Sequence, residues 1–460
     1  MAAPVSAESG APPSEPLVRP AVGDELELRV ESLAFGGAGV ARTNGYVVFV
    51  EGALPGDLVL ARIHHRKRAY AQARATRLLE PGADRVPALA AHPGAPWQEL
   101  AYERQLEIKQ DQVDQALRRI GHLDGFELEP IVAATEQWRY RNKLEYSFGG
   151  EAGSGLRLGF HEPGSWEEIR HLDDCMLASP AGNAARAAVL DWCRAQGLEP
   201  FDRRTRSGFL RNLVVREGRR TGQLQIRLIT TPGELDGESL AAAVPADSLL
   251  WTRTDAVSES STGGETELLA GVPTIDEELG GLTLRISAEA FFQTNTEMAE
   301  RLYAIAAEQC DLHGWECVYD LFCGTGTIAL SLAARAGHVY GLEIVESAVA
   351  DAISNATRND VSNASFYAGD VRLAMRELRE RAGRPDVVVV DPPRAGLSQK
   401  IVRRIIETAP RRIVYVSCNP TTLAPNAAQL VEAGWRLERV APVDMFPQTP
   451  HIECVALLVR

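Results

Sequence analysis

Apolar strands that alternate with helix-like stretches constrain the C-terminal part of this chain more than any other feature. The strands lie in ECVYDLF, HVYGLEI, NASFYA, PDVVVVD and RRIVYVS, and they are apolar along both faces. Strands of this kind occur in parallel sheets that helices cover on both sides. We therefore predict a doubly wound, mostly parallel α/β sheet over residues 286–460, which ends in two strands around a loop in WRLERVAPVDMFPQTPHIECVALLVR.

A glycine-rich loop, GTG at 324–326, follows the first of these strands and opens a helix. Glycines there let the backbone approach a ligand closely. Asp320 precedes the loop, Glu343 ends the next strand where a ribose would lie, and Asp370 ends the third strand where an adenine would lie. Because no Lys or Arg lies near the loop to hold a pyrophosphate, S-adenosylmethionine is favoured as the ligand. NAD is one alternative, since GTGTIA also fits a dinucleotide fingerprint, and an empty cleft is another.

Cys418 follows the strand RIVYVS and has two interpretations. A free cysteine is commonly a small apolar packing residue. Alternatively it is a nucleophile, because open α/β sheets bind ligands outside the carboxyl ends of their strands. Methylation of carbon 5 of a uracil needs a thiolate that adds to carbon 6 and a base that removes the carbon-5 proton. Cys418 and Glu453, near the DPPR turn at 391–394, have the residue types for these two roles.

Residues 21–80 predict a small OB-like β-barrel. ELELRV alternates apolar and polar residues, an Asn-Gly pair at 44–45 signals a hairpin, and the strands YVVFV and DLVLARI follow. Arg68, Tyr70 and Arg74 alternate with alanines in RKRAYAQARAT, so we predict them on one face of a strand. Arginine beside an aromatic ring suits contact with RNA phosphates and stacking on bases, and a solvated polar face is the alternative.

Residues 81–285 have a mixed pattern that predicts an α+β middle domain. ELAYERQLEIKQDQVDQALRRIG has helical spacing, and LRLGFHE and TGQLQIRLIT are strand-like. The net charge of −14 would argue against nucleic acid if it were evenly spread, but basic residues cluster at 62–77 and 203–220. We therefore predict RNA as the partner, with YRNK at 140–143 and RRTRSGFLRN as candidate contacts in this domain.

Three further features bear on the location of the protein. Residues 1–20 are rich in Pro, Ala, Ser and Glu and lack the apolar core of a secretion signal, so we predict a disordered leader. No apolar run approaches the roughly 20 residues of a membrane span. The seven cysteines are scattered and odd in number, which argues against a disulfide framework. We expect a cytoplasmic monomer that does not bind membranes.

Six stretches resemble the RNA uracil-5 methyltransferase family, namely AFFQTN, DLFCGTG, GLEI, DPPRAGL, VSCNPTTL and MFPQTPHIE. Residues 21–80 resemble its TRAM domain, so the resemblance covers nearly the whole chain. It implies a class I S-adenosylmethionine-dependent methyltransferase fold that makes 5-methyluridine in structured RNA. It also implies that Cys418 is the nucleophile and Glu453 the base. The residues that it implies for the cofactor site are Gln293, Phe322, Glu343 and Asp391, with Thr327 and Asp370 as further contacts.

Two positions depart from the pattern of the family. Many members hold an iron–sulfur cluster with three closely spaced cysteines and a fourth one later in the chain. The corresponding stretch here, ALAAHPGAPWQEL, has no cysteine, and only Cys175 matches the fourth ligand. One cysteine cannot hold a cubane cluster, so we predict that the chain binds none and that Cys175 is a buried remnant. The second departure is Gln448, where the family often has His.

The RNA target is not determined by the motifs. Bacterial relatives with a TRAM domain commonly resemble ribosomal RNA enzymes, which favours 23S rRNA, and a tRNA uridine is the alternative. Two other functions are also considered. DPPR-like turns occur in enzymes that methylate amino groups, although that chemistry needs no cysteine. A catalytically inactive RNA-binding module is the last alternative, and the presence of Cys418, Glu453 and the cofactor motifs argues against it.

Overall fold

The computed structural model describes residues 19–256 and 262–460. The described residues form two compact units, the first made of residues 19–87 together with 99–101, and the second made of the other described residues. The predicted leader lies outside the described residues except for its last two positions. Within the described part of the chain, none of the helices combines the length and apolar character that a membrane crossing requires.

The first unit contains a closed β-barrel, as the sequence predicts. Its strands are β1 (Glu25–Leu33), β2 (Gly39–Thr43), β3 (Tyr46–Glu51), β4 (Leu58–Arg66) and β5 (Tyr70–Glu80). They pair in the order β1-β2-β3-β5-β4, and β3 and β5 run parallel. Small or branched side chains such as Val30, Val48, Ala61 and Ala71 fill the interior, which is why strands with alternating apolar residues close on themselves here.

Arg68 does not share a strand face with Tyr70 and Arg74. β5 begins at Tyr70, so Arg68 lies in the turn between β4 and β5, and the sequence-based prediction is wrong for this residue. Arg74 lies in β5 and forms an ion pair with Glu51 at 2.8 Å. Tyr70 packs edge-on against Phe49, with ring centroids 5.4 Å apart. The alternation of alanine and polar residues in the sequence therefore begins before the first residue of β5.

The second unit begins with a helix and a mixed α+β region. α1 (Tyr102–Gln115) continues into a π-helical turn (Ala116–Ile120), and β6 (Glu127–Leu128) follows. A second sheet then contains β7 (Lys143–Gly150), β8 (Leu156–His161), β9 (Ile169–His171), β10 (Leu210–Glu217), β11 (Leu224–Thr230), β12 (Ser248–Arg253) and β13 (Glu265–Gly271), with a 3-10 turn at Gly153–Gly155. α2 (Pro180–Ala195) and α3 (Gly237–Ala243) pack on one face of this sheet. The order is β13-β12-β11-β10-β7-β8-β9, and the strand predictions for LRLGFHE and TGQLQIRLIT are confirmed.

The C-terminal region forms the predicted doubly wound, mostly parallel sheet. A hairpin of β14 (Ile275–Leu279) and β15 (Leu282–Ile286) precedes it and packs into the same apolar core. The strands of the sheet are β16 (Cys317–Leu321), β17 (His338–Glu343), β18 (Ala364–Ala368), β19 (Val387–Val390), β20 (Arg412–Ser417), β21 (Arg436–Val443) and β22 (Glu453–Val459). The helices are α4 (Thr296–Cys310), α5 (Thr327–Ala333), α6 (Glu346–Arg358), α7 (Val371–Ala382), α8 (Gln399–Thr408) and α9 (Pro420–Glu432).

The strand order of this sheet determines where a ligand can bind. The order is β18-β17-β16-β19-β20-β22-β21-β6, so the chain moves outward from β16 first in one direction and then in the other. β16 to β20 are parallel, whereas β22 runs antiparallel to both β20 and β21. Ligands of such sheets bind where the strand order reverses, outside the carboxyl ends of the strands. We call this side the carboxyl edge.

A buried ion pair fixes α1 to the loop between β21 and β22. Lys109 and Asp444 are both fully buried, and Lys109 Nζ lies 2.6 Å from Asp444 Oδ1. The Tyr102 hydroxyl donates a hydrogen bond to the other carboxylate oxygen of Asp444 at 2.9 Å. Lys109 also donates to the Phe446 carbonyl oxygen at 3.1 Å, so it contacts the loop in two places.

We predict that Lys109→Met destabilises the second unit by about 3–5 kcal/mol, because it leaves the Asp444 carboxylate buried without its cation. Adding Asp444→Asn removes that charge while keeping an acceptor for Tyr102, so the double variant should regain most of the loss. Urea unfolding monitored by tryptophan fluorescence measures both changes. A double variant as unstable as Lys109→Met would show that the cost comes from lost packing and not from the unpaired carboxylate.

Candidate active site

The candidate residues collect at the carboxyl edge of the C-terminal sheet. Glu343 is the last residue of β17, and four more candidates lie within two residues after the end of a parallel strand: Phe322, Asp370, Asp391 and Cys418. Glu453 reaches the same edge from the other direction, because it is the first residue of antiparallel β22. Since Ser417 is the register partner of Cys454, the next step along both strands places Cys418 beside Glu453.

The glycine loop after β16 has the backbone geometry of a close ligand contact. Phe322, Gly324 and Gly326 have positive φ angles of 67°, 52° and 82°. A Cβ atom at Gly326 would lie 3.0 Å from the Phe366 ring, so glycine is needed there for packing as well as for φ. Thr327 opens α5 directly after the loop and is buried, with its hydroxyl 3.4 Å from that of Thr325.

The acidic residues at the ends of β17 and β18 are held in different ways. The Glu343 carboxylate accepts backbone N–H bonds from Gly324 at 3.1 Å and from Ile344 at 2.7 Å, which fixes it beside the glycine loop. Asp370 is the N-cap of α7, and its carboxylate pairs with the Arg372 guanidinium, which lowers the pKa of Asp370. Glu343 therefore stays ordered next to the loop, whereas the Asp370 carboxylate already has a cationic partner.

Three carboxyl groups make the interior of the site strongly acidic. Burial raises the pKa of Asp391 to about 7. Burial and the neighbouring Asp391 raise the pKa of Asp320 to about 8 and raise that of Glu453 well above its usual range. Among the described residues, Asp320 Oδ1 has no hydrogen-bond partner although it is buried. A cationic ligand would relieve this repulsion, and S-adenosylmethionine carries both a sulfonium and an ammonium group, so these residues fit it.

Cys418 is half-buried and lies between negative and positive neighbours. Burial, Glu453 and Asp391 raise the pKa of its thiol to about 11, and Arg394 opposes this shift. Asn419, the next residue, donates a hydrogen bond to the Arg394 carbonyl oxygen at 3.0 Å and also caps α9. The turn that carries Arg394 is thus attached to the turn that carries Cys418, and the guanidinium is the cation that favours the thiolate.

Gln293 lies in the segment 290–295, before α4. Residues of the middle region form hydrogen bonds to this segment and to the start of α4. The Asn142 side chain donates to the Gln293 carbonyl oxygen at 2.9 Å and to Thr296 Oγ1 at 2.9 Å. Asn142 is buried, and the hydroxyl of buried Tyr140 donates to the Pro447 carbonyl oxygen at 3.1 Å. These two residues of the YRNK motif therefore position internal segments, and the prediction that they contact RNA is wrong for them.

The loop 444–452, which leads to Glu453, is held through its carbonyl groups. Four donors from elsewhere in the chain and one from the loop itself bond to four successive carbonyl oxygens: Asn295 on Met445, Lys109 and Thr449 on Phe446, Tyr140 on Pro447, and Trp97 on Gln448. Gln448 has a φ of 66° and exchanges two hydrogen bonds with Gln105, at 2.7 and 3.0 Å. The residue that departs from the family pattern thus finds its own buried partner, and the position of Glu453 is well defined.

Cys175 is buried, as the sequence predicts, and its sulfur lies 3.2 Å from His92 Nε2. The Gly94 N–H donates to His92 Nδ1 at 3.1 Å, which leaves Nε2 as the protonated nitrogen of a neutral ring. Burial lowers the pKa of His92 to about 4. Across the described ranges, groups of three or more His, Cys, Asp or Glu side chains able to hold a metal ion are absent. That the protein binds no iron–sulfur cluster stays a prediction.

The sequence motifs missed several residues of the site. Tyr303, in α4, is buried next to Gln293, and burial together with Asp391, Asp320 and Glu453 raises its pKa well above the usual range. Helical spacing alone marks Tyr303 as a core residue, so no sequence signal separates it from its apolar neighbours. Gln105 and Lys109 carried a signal of a different kind, since both are polar residues on the inner face of a predicted helix.

Comparisons with known proteins identify relatives of this chain. The family model described as tRNA (Uracil-5-)-methyltransferase matches residues 280–460, and the TRAM domain model matches residues 20–76. An uncharacterized RNA methyltransferase of Halalkalibacterium halodurans is 37% identical over 445 residues, covering 95% of this chain and 97% of the relative. One of Chlorobaculum tepidum is 38% identical, with the same coverage. The crystal structure of Pyrococcus abyssi tRNA (uracil-54, C5)-methyltransferase with S-adenosyl-L-homocysteine is similar at a TM-score of 0.78 and 28% identity, covering 94% of this chain and 100% of that chain.

We predict that Arg394→Gln slows alkylation of Cys418 by iodoacetamide at pH 8 by a factor of about 2 to 5. The thiolate is the reactive form, and removing the cation raises the pKa of the thiol further, although solvent screens an exposed guanidinium. The rate is measured by mass spectrometry, with Cys418→Ala to identify the background from half-buried Cys317. Lys400→Gln removes one positive charge from the exposed surface of α8 and is the matched control. An unchanged rate in Arg394→Gln would contradict this role.

Proposed function

The chain belongs to the RNA uracil-5 methyltransferase family and carries a TRAM domain, and from this premise we propose that it methylates a specific uridine through a covalent bond to Cys418. It is an S-adenosylmethionine-dependent RNA methyltransferase. The observation that carries the proposed mechanism is the register of β20 and β22, which brings a thiol and a carboxyl group together at the carboxyl edge. Covalent methylation of carbon 5 of a uracil requires a nucleophile that adds to carbon 6 and a base that removes the proton from carbon 5.

The proposed steps balance protons and electrons. The half-buried Cys418 thiol loses its proton to solvent, and its sulfur forms a bond to carbon 6 of the uracil. The electrons of the carbon 5–carbon 6 double bond move to an enolate over carbon 5 and the carbonyl oxygen. The methyl donor would supply an electrophilic methyl group. Carbon 5 forms its new bond to that methyl carbon as the methyl–sulfur bond of the sulfonium breaks, and the electron pair of that bond stays on the sulfur of the departing thioether. Glu453, ionised at this stage, takes the proton from carbon 5. The carbon 6–sulfur bond then breaks, and its electron pair returns to Cys418.

We assign the methyl donor to the carboxyl edge of the sheet, between the glycine loop and the three carboxyl groups of Asp320, Asp391 and Glu453. The residues assigned to hold it are Gln293, Phe322, Glu343 and Asp391, with Thr327 and Asp370 as further contacts. The positive φ angles of the loop and the unpartnered buried oxygen of Asp320, considered within the described residues, support this assignment. We further assign RNA binding to residues 21–80 and 81–285, and catalysis to residues 286–460.

The preferred target is a uridine of 23S rRNA, on the basis of the resemblance of TRAM-bearing bacterial relatives to ribosomal RNA enzymes. A tRNA uridine is the second candidate, because the P. abyssi structure is that of a tRNA (uracil-54, C5)-methyltransferase and is similar over 94% of this chain. The residues of this chain that lie outside the match are fewer than those of the barrel, so the match includes at least part of the barrel. The barrel therefore does not by itself separate the two targets.

Mass spectrometry of nucleosides from a strain that lacks the protein tests the target. We expect 5-methyluridine to disappear from one fragment of 23S rRNA and to return when the wild-type chain is expressed. Expression of Cys418→Ala should not restore it. Loss from tRNA instead would support the second candidate, and unchanged 5-methyluridine in both RNA classes would contradict the proposed function.

We predict that Glu453→Gln accumulates a covalent protein–RNA adduct. Addition and methyl transfer need no base at carbon 5, but elimination does, so the reaction stops with Cys418 still bound to carbon 6. Denaturing gel electrophoresis with labelled RNA and S-adenosylmethionine detects the adduct. Cys418→Ala should bind both ligands and transfer no methyl group.

The double variant Cys418→Ala/Glu453→Gln is the control for this adduct. It should bind RNA as Glu453→Gln does and form no band that survives denaturation. If Cys418→Ala retains normal turnover, Cys418 is a packing residue and the covalent mechanism is wrong. An adduct that persists in the double variant would assign the nucleophile to another residue.

A further inference from the structure

Three cations lie together on the face of the middle sheet that points away from its apolar core. Lys143 in β7 is the register partner of Arg216 in β10, and Arg227 lies in β11, the next strand. Their sequence neighbours Leu144, Val215 and Ile226 belong to the apolar core on the other face. Because side chains alternate along a strand, the three cations share the opposite face. We call them the cationic cluster.

Arg216 is the member of the cationic cluster with unused hydrogen-bond donors. Arg216 is 1% exposed and donates one N–H to the Ala290 carbonyl oxygen at 2.7 Å. Its Nε and Nη1 atoms are buried without a partner in the part of the chain that the structure describes. Burying a guanidinium that is only partly hydrogen-bonded is unfavourable, so Arg216 leaves positive charge uncompensated on the face that it shares with Lys143.

The carboxylates that face the cationic cluster are partly engaged elsewhere. Glu289 lies 3.3 Å from Arg227 and accepts the Gly263 N–H at 2.8 Å. Asp351 accepts the Ser287 hydroxyl at 2.6 Å. Glu145, the third carboxylate, shares a face with Lys143 in β7, and its negative charge opposes the lowering of the pKa of Lys143.

The balance of these charges favours loss of a proton from the cationic cluster. Burial, and then Arg227, lowers the pKa of Arg216 to about 10. Burial, and then Arg216, lowers the pKa of Lys143 to about 8, against the opposing effect of Glu145 and Glu289. Lys143 is half-buried, whereas both arginines are 1% exposed, so Lys143 is the member that a ligand reaches. The cluster therefore has the electrostatics of an anion site with one accessible contact.

The cationic cluster adjoins the segment that carries Gln293. Arg216 bonds to Ala290, three residues before Gln293, and Asn142, the neighbour of Lys143, holds the Gln293 carbonyl oxygen. We propose that Lys143, supported by Arg216 and Arg227, binds a phosphate of the RNA backbone beside the uridine that enters the active site. This proposal rests on the proposed function, since it takes RNA as the substrate. A lysine ammonium is a point charge that suits a phosphate oxygen without a fixed orientation.

The pH dependence of RNA affinity tests this site. The probe is a synthetic RNA stem–loop with a single uridine in its loop, and dissociation constants are measured at pH 7 and pH 9 at fixed low salt. With a pKa of about 8, the charged fraction of Lys143 falls from about 0.9 to about 0.1 over this range, so wild-type affinity should fall by about tenfold. Lys143→Arg keeps its charge and should lose little of its affinity. Lys143→Gln should bind more weakly at pH 7 and should lose little more at pH 9.

Matched comparisons isolate the contribution of Lys143. Asp320 and Asp391 also titrate in this range, as do the RNA bases, but they are present in every variant and cancel in the comparison. Lys400→Gln, which removes an exposed lysine of α8, should keep the wild-type pH dependence. Binding of S-adenosylhomocysteine should be unchanged in the Lys143 variants, and the midpoint of thermal unfolding of Lys143→Gln should not fall, because burial and Arg216 disfavour the charge on Lys143. A Lys143→Arg protein with the wild-type pH dependence would overturn the proposal.

A second measurement serves if a variant fails to fold. For the wild-type protein, a set of RNAs is compared in which a methylphosphonate replaces one phosphate next to the loop uridine at a time. At a single one of these positions, the replacement should abolish the pH dependence of RNA affinity. If no position does so, the phosphate site is wrong. Formation of 5-methyluridine is measured separately with the wild-type protein. Methylation without the pH effect would reject only the phosphate site, and the pH effect without methylation of any RNA would reject only the proposed function.

Discussion

The antiparallel pairing of β20 with β22 is the constraint on which the active site depends. Ser417 pairs with Cys454, so the residues just beyond this pair, Cys418 and Glu453, meet at the carboxyl edge. A shift of the register by one residue would turn Glu453 to the other face of the sheet. The backbone register of β20 and β22 therefore places the residues that carry the thiol and the carboxyl group next to each other.

Two regions of opposite charge adjoin each other around the segment 290–295. On one side, Asp320 and Glu453 are buried, Asp391 is half-buried, and all three have raised pKa values. On the other side, the cationic cluster of the middle sheet has lowered pKa values. The first region complements a methyl donor with a sulfonium charge, and the second complements the phosphates of an RNA. Since each ligand would restore the usual ionisation of the groups around it, binding of either one would also stabilise the site.

The sequence predicted the elements whose signals are local. Strands that are apolar on both faces, the GTG loop and Cys418 at a strand end all follow from a few neighbouring residues, and the fold class is confirmed. The contacts that position the site are not local. Asn142 and Gln293 are 151 positions apart and Gln105 and Gln448 are 343 apart, so no periodicity connects them. Likewise, YRNK has the composition of an RNA contact, and only the folded chain shows that Tyr140 and Asn142 face inward.

The central claim is that Glu453 removes the proton from carbon 5 after Cys418 has bound to carbon 6. The most direct measurement uses RNA with tritium at carbon 5 of uridine and compares tritium release with methyl transfer in a single turnover. In the wild-type protein the two should be equal. In Glu453→Gln, methyl transfer should proceed while tritium stays on the RNA. Equal release and transfer in Glu453→Gln would show that another group is the base and would contradict the account.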